Sequence, residues 1–127
     1  MIKRNRAPRI GRSKGGRLAL FRSLSRELLK HGKIETSIAR AKAVRPFLAK
    51  VARAAKKGDV TSKRRVAALL SADKDFITKF AVRAVGLRLR IIKLVPRKGD
   101  ASPRARIEII EDLPAQAGKK EVVKENV

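Results

Sequence analysis

The spacing of apolar residues divides the chain into helical stretches followed by a shorter stretch of strands. The first helical stretch repeats apolar side chains at intervals of three and four, which places them on one helix face: Leu18, Phe21, Leu24 and Leu28. Gly32 follows this stretch, and glycine readily adopts the left-handed backbone that ends many helices. Lys30 and His31 just before it offset the negative end of the helix dipole. The pattern predicts a helix from Leu18 to His31, with the lone histidine as a surface residue.

A second helix is predicted to start after Thr36 or Ser37, because either hydroxyl can cap the backbone N–H groups of a first turn. Apolar side chains then keep helical spacing as far as Gly58, which should close the element. Pro46 interrupts this stretch. Since proline lacks a backbone donor and biases Arg45 away from helical geometry, we expect a kink or a break there.

Two more helices are predicted from caps and apolar spacing. The third should start at a cap among Asp59, Thr61 and Ser62, and the fourth should run from Asp73 to Gly86. The fourth carries two phenylalanines one turn apart, which predicts that it is the core helix of the domain.

The apolar period falls from 3.6 to 2 after Gly86. Residues 87–95 and 105–110 alternate apolar with mostly charged side chains, which predicts two strands. Residues 96–103 contain two prolines, a glycine and two basic residues, so the strands should form a hairpin with a basic tip. Residues 33–35 predict one further, short strand.

The net charge of +23 comes from 34 Lys and Arg against 11 Asp and Glu, and it is uneven, because residues 1–66 hold 21 of the cations and three of the acids. Such an excess favours a polyanionic partner. No apolar run approaches the roughly 20 residues that span a bilayer, and no apolar segment follows the basic start, so neither a membrane span nor a secretory signal is predicted. The absence of cysteine excludes disulfides and fits a reducing compartment.

Several basic residues are candidates for contacts with a phosphate backbone. Three of them recur every four residues in the first helix, and such a like-charged ladder implies a counter-charge from outside the chain. Three more are consecutive in the predicted first turn of the third helix, where they oppose the dipole unless an anion binds. The full set is the arm residues Lys3, Arg4, Arg6, Arg9, Arg12, Lys14 and Arg17, the ladder Arg22, Arg26 and Lys30, the single Arg40, the cluster Lys63, Arg64 and Arg65, and the hairpin tip Arg97 and Lys98.

The sequence lacks the residues that an enzyme active site would need. The glycine-rich stretch at residues 11–18 has Arg17 and Leu18 where a nucleotide phosphate loop needs Lys and Ser or Thr. Its glycines fit a close approach to a phosphodiester chain or, alternatively, a flexible hinge. One histidine and no cysteine cannot assemble a nucleophile with a base, so a phosphotransfer or nuclease enzyme is only a formal alternative. No catalytic residue, metal site or cofactor is predicted.

Five blocks of residues, each present once, match a known family pattern in their order and spacing. They are Gly11-Arg12 leading into Arg17, Ala19-Leu20 and Arg22; His31-Gly32-Lys33-Ile34-Glu35-Thr36; Ala39-Arg40-Ala41-Lys42 with Arg45-Pro46; Ala55-Lys56-Lys57-Gly58-Asp59; and Arg90-Ile91-Ile92-Lys93-Leu94 followed by Pro96-Arg97-Lys98-Gly99-Asp100-Ala101 and Pro103. Together they resemble the bacterial-type family of large-subunit ribosomal protein L-seventeen over residues 9–111. Two positions depart from the family pattern. Gly16 stands where the family usually has His, and residues 85–89 replace a Gly-Gly-Tyr-Thr, so base stacking by that His or Tyr is not carried over.

The resemblance implies a structural protein of the large ribosomal subunit that binds and stabilises ribosomal RNA near the exit of the peptide tunnel. It also implies an α+β fold, with about four helices packed against a small sheet in which the Ile34 segment adds a strand to the C-terminal antiparallel hairpin. The implied partners are large-subunit ribosomal RNA and neighbouring ribosomal proteins, in cytoplasmic ribosomes or, as the less favoured alternative, in those of an organelle.

The chain is expected to comprise a basic N-terminal arm at residues 1–16, one globular domain at 17–113 and a flexible tail at 114–127. Neither a membrane nor a small-molecule substrate is expected as a partner. Charge alone also fits an architectural DNA-binding protein, which is the alternative function.

Overall fold

The computed structural model of this chain describes residues 8–110, in which four helices pack with a three-stranded antiparallel sheet. The elements in chain order are α1 (Lys14–His31), β1 (Lys33–Ser37), α2 (Ile38–Ala55), α3 (Val60–Leu70), α4 (Lys74–Ala84), β2 (Leu89–Leu94) and β3 (Arg104–Ile109). The predicted α+β class is confirmed. Residues 1–7 and 111–127 lie outside the described residues, and with them the first seven residues of the predicted arm and the whole predicted tail.

The sheet has the strand order β1-β3-β2. Its central register aligns Ile34 with Ile107 and Ile107 with Ile91, so one isoleucine from each strand points towards the helices. The predicted hairpin is confirmed as β2 and β3. The short strand predicted at residues 33–35 is confirmed as five-residue β1, which pairs with β3.

Helix α2 lies between two hydrophobic clusters and is the central helix of the domain. With α1, α3 and α4 it buries one cluster: Leu29, Val51, Ala55, Val66, Leu70, Ile77 and Ala84. With α1 and the sheet it buries the other: Leu28, Ala41, Val44, Leu48, Ala105 and Ile107. The prediction that α4 is the core helix was wrong, because α4 buries only Ile77 and Ala84, whereas α2 buries six residues. Phe76 and Phe80 contact each other with tilted rings, 4.8 Å between centroids, and pack at the edge of the core.

Helix α1 begins at Lys14, four residues before the predicted Leu18. Ser13 caps it, and its Oγ accepts a hydrogen bond from the Gly16 N–H at 3.2 Å. This cap offsets the low helix propensity of Gly15 and Gly16, which had favoured a flexible arm. At the other end Gly32 has φ +79° and donates its N–H to the Leu28 carbonyl oxygen at 2.7 Å, so the predicted helix end is confirmed.

Pro46 does not break α2, which runs through it as one helix of 18 residues. Proline removes the N–H that would have bonded the Lys42 carbonyl. Pro46, Arg45 and Lys42 are all exposed, so the lost hydrogen bond lies on the solvent side of the helix. Ser37 caps this helix by accepting a hydrogen bond from the Arg40 N–H at 3.4 Å, as predicted.

Candidate nucleic-acid interface

The N-terminus of α1 gathers four of the predicted basic residues: Arg9, Arg12, Lys14 and Arg17. A turn precedes the helix, in which Ile10 and Gly11 have φ of 53° and 64° and the Arg12 N–H donates to the Arg9 carbonyl at 3.1 Å. The Arg17 guanidinium donates from one terminal nitrogen to the Arg12 carbonyl at 2.8 Å. These two bonds fix the last residues of the arm against the first turn of the helix.

This helix end has the features of a phosphate site. The cap by Ser13 satisfies the Gly16 N–H, which leaves the N–H groups of Lys14 and Gly15 without an intrahelical acceptor. A Cβ built on Gly15 would meet no described atom within 4 Å, so a ligand can approach the backbone there. The first turn holds no acidic side chain. The start of α1 therefore combines the positive end of the helix dipole with unbonded backbone N–H groups and basic side chains.

Two of the three ladder residues in α1 donate hydrogen bonds to backbone carbonyls at the end of α3. Arg22 Nε donates to the Leu69 carbonyl at 3.0 Å, and Arg26 donates to the Ser71 carbonyl at 3.2 Å. Both arginines are partly buried against the end of α3. These bonds engage one donor of each guanidinium within the chain, and the expected contacts of Arg22 and Arg26 with an external polyanion stay a prediction. Lys30, the third member, is exposed.

The C-terminal end of α1 is closed by an arginine from α4. Arg83 donates to the carbonyl oxygens of Leu29 and Lys30, both at 2.9 Å, and so satisfies acceptors that the helix itself leaves free. His31 Nε2 lies 3.1 Å from the Glu27 carboxylate, and both side chains are about half exposed. This position confirms the prediction of a surface histidine.

The cluster in α3 begins about one turn into the helix, because Asp59, one of the three predicted caps, is the observed one. Since α3 begins at Val60, Lys63 is its fourth residue, and its N–H already bonds the Asp59 carbonyl at 2.9 Å. The placement in the first turn was wrong, and the argument from the dipole weakens because the dipole acts mainly there. Lys63 and Arg64 line a hollow of about 520 Å³ between α3 and α4, together with Lys74 and no carboxylate, whereas Arg65 faces the α2 side.

The hairpin tip is organised by an internal ion pair. The Arg97 guanidinium contacts both oxygens of the Asp100 carboxylate, one of them at 3.1 Å from Nε. The hydrogen bond from Arg97, followed by one from the Ser102 N–H, lowers the pKa of Asp100 below its ordinary value. Lys98 is exposed beside this pair. Arg97 also lines a hollow with Arg40 and Arg104 at the start of α2, and Glu35 lines it too.

The outer face of the sheet carries a network of ion pairs that sequence reasoning missed. Glu35 accepts from Arg106 at 2.9 Å and from Arg104 at 3.1 Å, and Glu108 accepts from Arg90 at 2.8 Å. The hydrogen bond from Arg106 is the main cause that lowers the pKa of Glu35, and the one from Arg90 lowers the pKa of Glu108. The β1-β3 register sets Glu35 opposite Arg106, so the alternation of charges along both strands was the available signal.

Within residues 8–110, no group of three or more His, Cys, Asp or Glu is placed to hold a metal ion. In the same part of the chain, no helix combines the length and apolarity that crossing a bilayer requires. The predicted arm contacts Lys3, Arg4 and Arg6 lie outside the described residues.

A sequence profile of the family described as ribosomal protein L17 matches residues 20–110. This chain belongs to the ribosomal protein L17 family. The predicted resemblance is thereby confirmed, and the enzymatic alternative is excluded, since the family is a structural and non-catalytic class.

Curated relatives agree with this membership. The large ribosomal subunit protein bL17 of Hydrogenobaculum sp. (strain Y04AAS1) is 46% identical over 103 residues, which cover 75% of this chain and 86% of the relative. The bL17 of Paramagnetospirillum magneticum (strain AMB-1) is 37% identical over 115 residues, covering 85% and 82%. That of Halothermothrix orenii (strain H 168) is 33% identical over 112 residues, covering 82% and 96%.

The family match separates the candidate residues into two groups. The ladder, the α3 cluster and the hairpin tip lie inside the matched span of residues 20–110. The arm and the first turns of α1 precede it. The candidate phosphate site at the start of α1 therefore depends on the geometry of this chain rather than on the family match.

Proposed function

We propose that this chain is a structural constituent of the large ribosomal subunit that binds and stabilises ribosomal RNA. One observation carries the proposal: its basic side chains fall into two classes. On the sheet and the hairpin, arginines bond carboxylates of the chain itself. The arm-proximal and α3 cations form no ion pair with the described acidic residues: Arg9, Arg12, Lys14, Lys63, Arg64 and Arg65. The described acids do not supply their counter-charge, which supports an external polyanion.

RNA is the polyanion that best matches these basic side chains. Arginine predominates near α1 and can contact phosphates through two donors at once. The strands carry no aromatic residue that could stack single-stranded bases, which favours recognition of the shape of a folded RNA. The relatives that carry the name large ribosomal subunit protein support a ribosomal location. The position near the peptide tunnel exit, the neighbouring ribosomal proteins and the cytoplasmic location rest on the family resemblance.

Binding to large-subunit ribosomal RNA freed of protein tests this function. If about 8 to 12 cations neutralise phosphates, the logarithm of the association constant should fall with the logarithm of salt at a slope of roughly −6 to −10. A plain DNA duplex of similar total charge is the control, and we expect weaker binding to it. Equal or tighter binding to the duplex would favour the architectural DNA-binding alternative. No co-sedimentation with large subunits at low salt and moderate magnesium would reject the ribosomal function.

A further inference from the structure

A groove between α2 and α3, hereafter the α2–α3 groove, combines an apolar floor with a basic rim. It is an open depression of about 570 Å³, lined by Lys50, Arg53 and Ala54 of α2 and by Arg65, Ala68 and Leu69 of α3. Lys50 and Arg53 stand three residues apart on one face of α2, and Arg65 stands three residues before Ala68 on α3. Because residues 56–59 join the two helices directly, these two faces are held side by side.

No acid within residues 8–110 compensates the charge of the groove. Its three cationic side chains are exposed, and none of them forms an ion pair with any described acidic residue. Among the residues that the structure describes, no carboxylate lines the groove. The hollow at the start of α2 differs, because Glu35 lies among its arginines. Of the three groove cations, only Arg65 was predicted from the sequence.

The α2–α3 groove adjoins the N-terminal half of α1. Arg22 of α1 bonds the carbonyl of Leu69, a floor residue, and Phe21 packs against Phe47 of α2 with ring centroids 6.0 Å apart. Both walls of the groove therefore contact the same turn of α1. Lys14 lies eight residues before Arg22, which is about 12 Å along a helix. Along the axis of α1, the start of the helix therefore lies about two turns from the contact with the groove.

We infer that the α2–α3 groove binds a stretch of RNA backbone, with phosphates at Lys50, Arg53 and Arg65 and the ribose and base edges over the alanine and leucine floor. This inference rests on the proposed function and adds a second contact surface beside the start of α1. Two of the three cations are arginines, which can hold a phosphate through paired donors. A small, apolar floor admits a sugar without leaving polar groups of the protein buried and unbonded.

The test removes the three rim charges together by Lys50→Gln, Arg53→Gln and Arg65→Gln, since glutamine keeps helix propensity. The matched control removes three exposed lysines elsewhere by Lys33→Gln, Lys79→Gln and Lys93→Gln, with the same change in net charge. The probe is large-subunit ribosomal RNA freed of protein. We expect the groove variant to lower the salt slope by about 2 to 3 and the affinity at 0.15 M salt by roughly tenfold to a hundredfold, beyond any change in the control.

Backbone cleavage by hydroxyl radicals gives a second readout, in which the groove variant should lose one block of protected nucleotides while other blocks persist. Equal slopes and footprints for the groove and control variants would overturn the inference and leave the proposed function standing. A groove variant that binds RNA normally but fails to enter the subunit would also overturn it, in favour of an acidic protein partner. Failure of the unaltered protein to bind the RNA would reject both. Circular dichroism with thermal unfolding confirms that each variant is folded.

Discussion

Arg22 Nε donates a hydrogen bond to the carbonyl oxygen of Leu69 at 3.0 Å, although the two residues are 47 positions apart. The Leu69 carbonyl belongs to the last turn of α3, where carbonyls lack partners within the helix. Arg26 bonds the Ser71 carbonyl just beyond that turn. The α1 ladder therefore closes the end of a neighbouring helix, and its positive charge also suits the negative end of the α3 dipole.

We expect Arg22→Met to destabilise the protein by about 1 to 2 kcal/mol, because it keeps the apolar stem but leaves the partly buried carbonyl without its charged donor. Urea unfolding followed by circular dichroism measures the difference. Lys30→Met is the control, since Lys30 is an exposed member of the same ladder and its loss should leave the midpoint nearly unchanged. Equal effects of the two substitutions would show that the Leu69 bond contributes nothing.

Much of the fold could be predicted because its signals are local. The glycine after His31, the serine before Ile38 and the switch to alternating residues after Gly86 each act within a few positions, and each marks an observed boundary. The start of α1 was missed because two glycines lower helix propensity, whereas the cap by Ser13 acts through a single hydroxyl.

The candidate site was less predictable, because the availability of a cation depends on contacts far along the chain. Arg22 and Lys30 look equivalent in a ladder, yet only one of them meets a carbonyl of α3. Likewise Arg104 bonds Glu35 across 69 positions. The α2–α3 groove depends on how two helices pack, and periodicity within either helix cannot show that their basic residues share one rim.

Two glycines of α1 should respond to alanine in opposite directions. Gly32→Ala should destabilise the protein by roughly 1 to 2 kcal/mol, because φ of +79° disfavours a residue with a Cβ. Gly15→Ala should stabilise it by about 0.5 kcal/mol, since Gly15 is helical and its added Cβ meets nothing within 4 Å. Denaturant unfolding of both variants measures these changes.

RNA binding separates the two glycine variants further. In the Gly15→Ala variant, the added methyl group occupies the space next to the free N–H groups at the start of α1. The affinity of this variant for large-subunit RNA should therefore fall while its stability rises. Gly32→Ala should bind normally once folded. A Gly15→Ala protein with unchanged affinity would contradict the close approach of a phosphate to that helix end.

The Glu35 ion pairs should make part of the stability depend on pH. The folded-state pKa of Glu35 is lowered from 4.5, chiefly by the hydrogen bond from Arg106, so folding favours the ionised form. The stabilisation is complete above pH 4.5 and is lost as pH falls through the lowered pKa. The difference in Tm between the unaltered protein and Glu35→Gln should therefore be constant near neutrality and shrink below pH 4.5.

Arg106→Gln provides the control for this titration. Because Arg106 is the main cause of the lowered pKa, Glu35→Gln should have a smaller effect in the Arg106→Gln background than in the unaltered protein. Thermal unfolding at constant ionic strength gives all four values of the cycle. Equal effects in both backgrounds, or a difference that grows in acid, would contradict the role of this pair.

The start of α1 should account for a separable part of RNA affinity. Arg12 and Lys14 are exposed and form no ion pair with the described acids, so each can neutralise one phosphate. The pair Arg12→Gln and Lys14→Gln should lower the salt slope of binding by about 1.5 to 2, with unchanged unfolding.

The pair Lys79→Gln and Lys93→Gln removes the same charge at exposed positions outside the predicted set. If both pairs lower the slope equally, only overall charge drives binding. A larger loss at Arg12 and Lys14 would support a phosphate held where the helix begins, because screening limits each exposed charge to nearby phosphates.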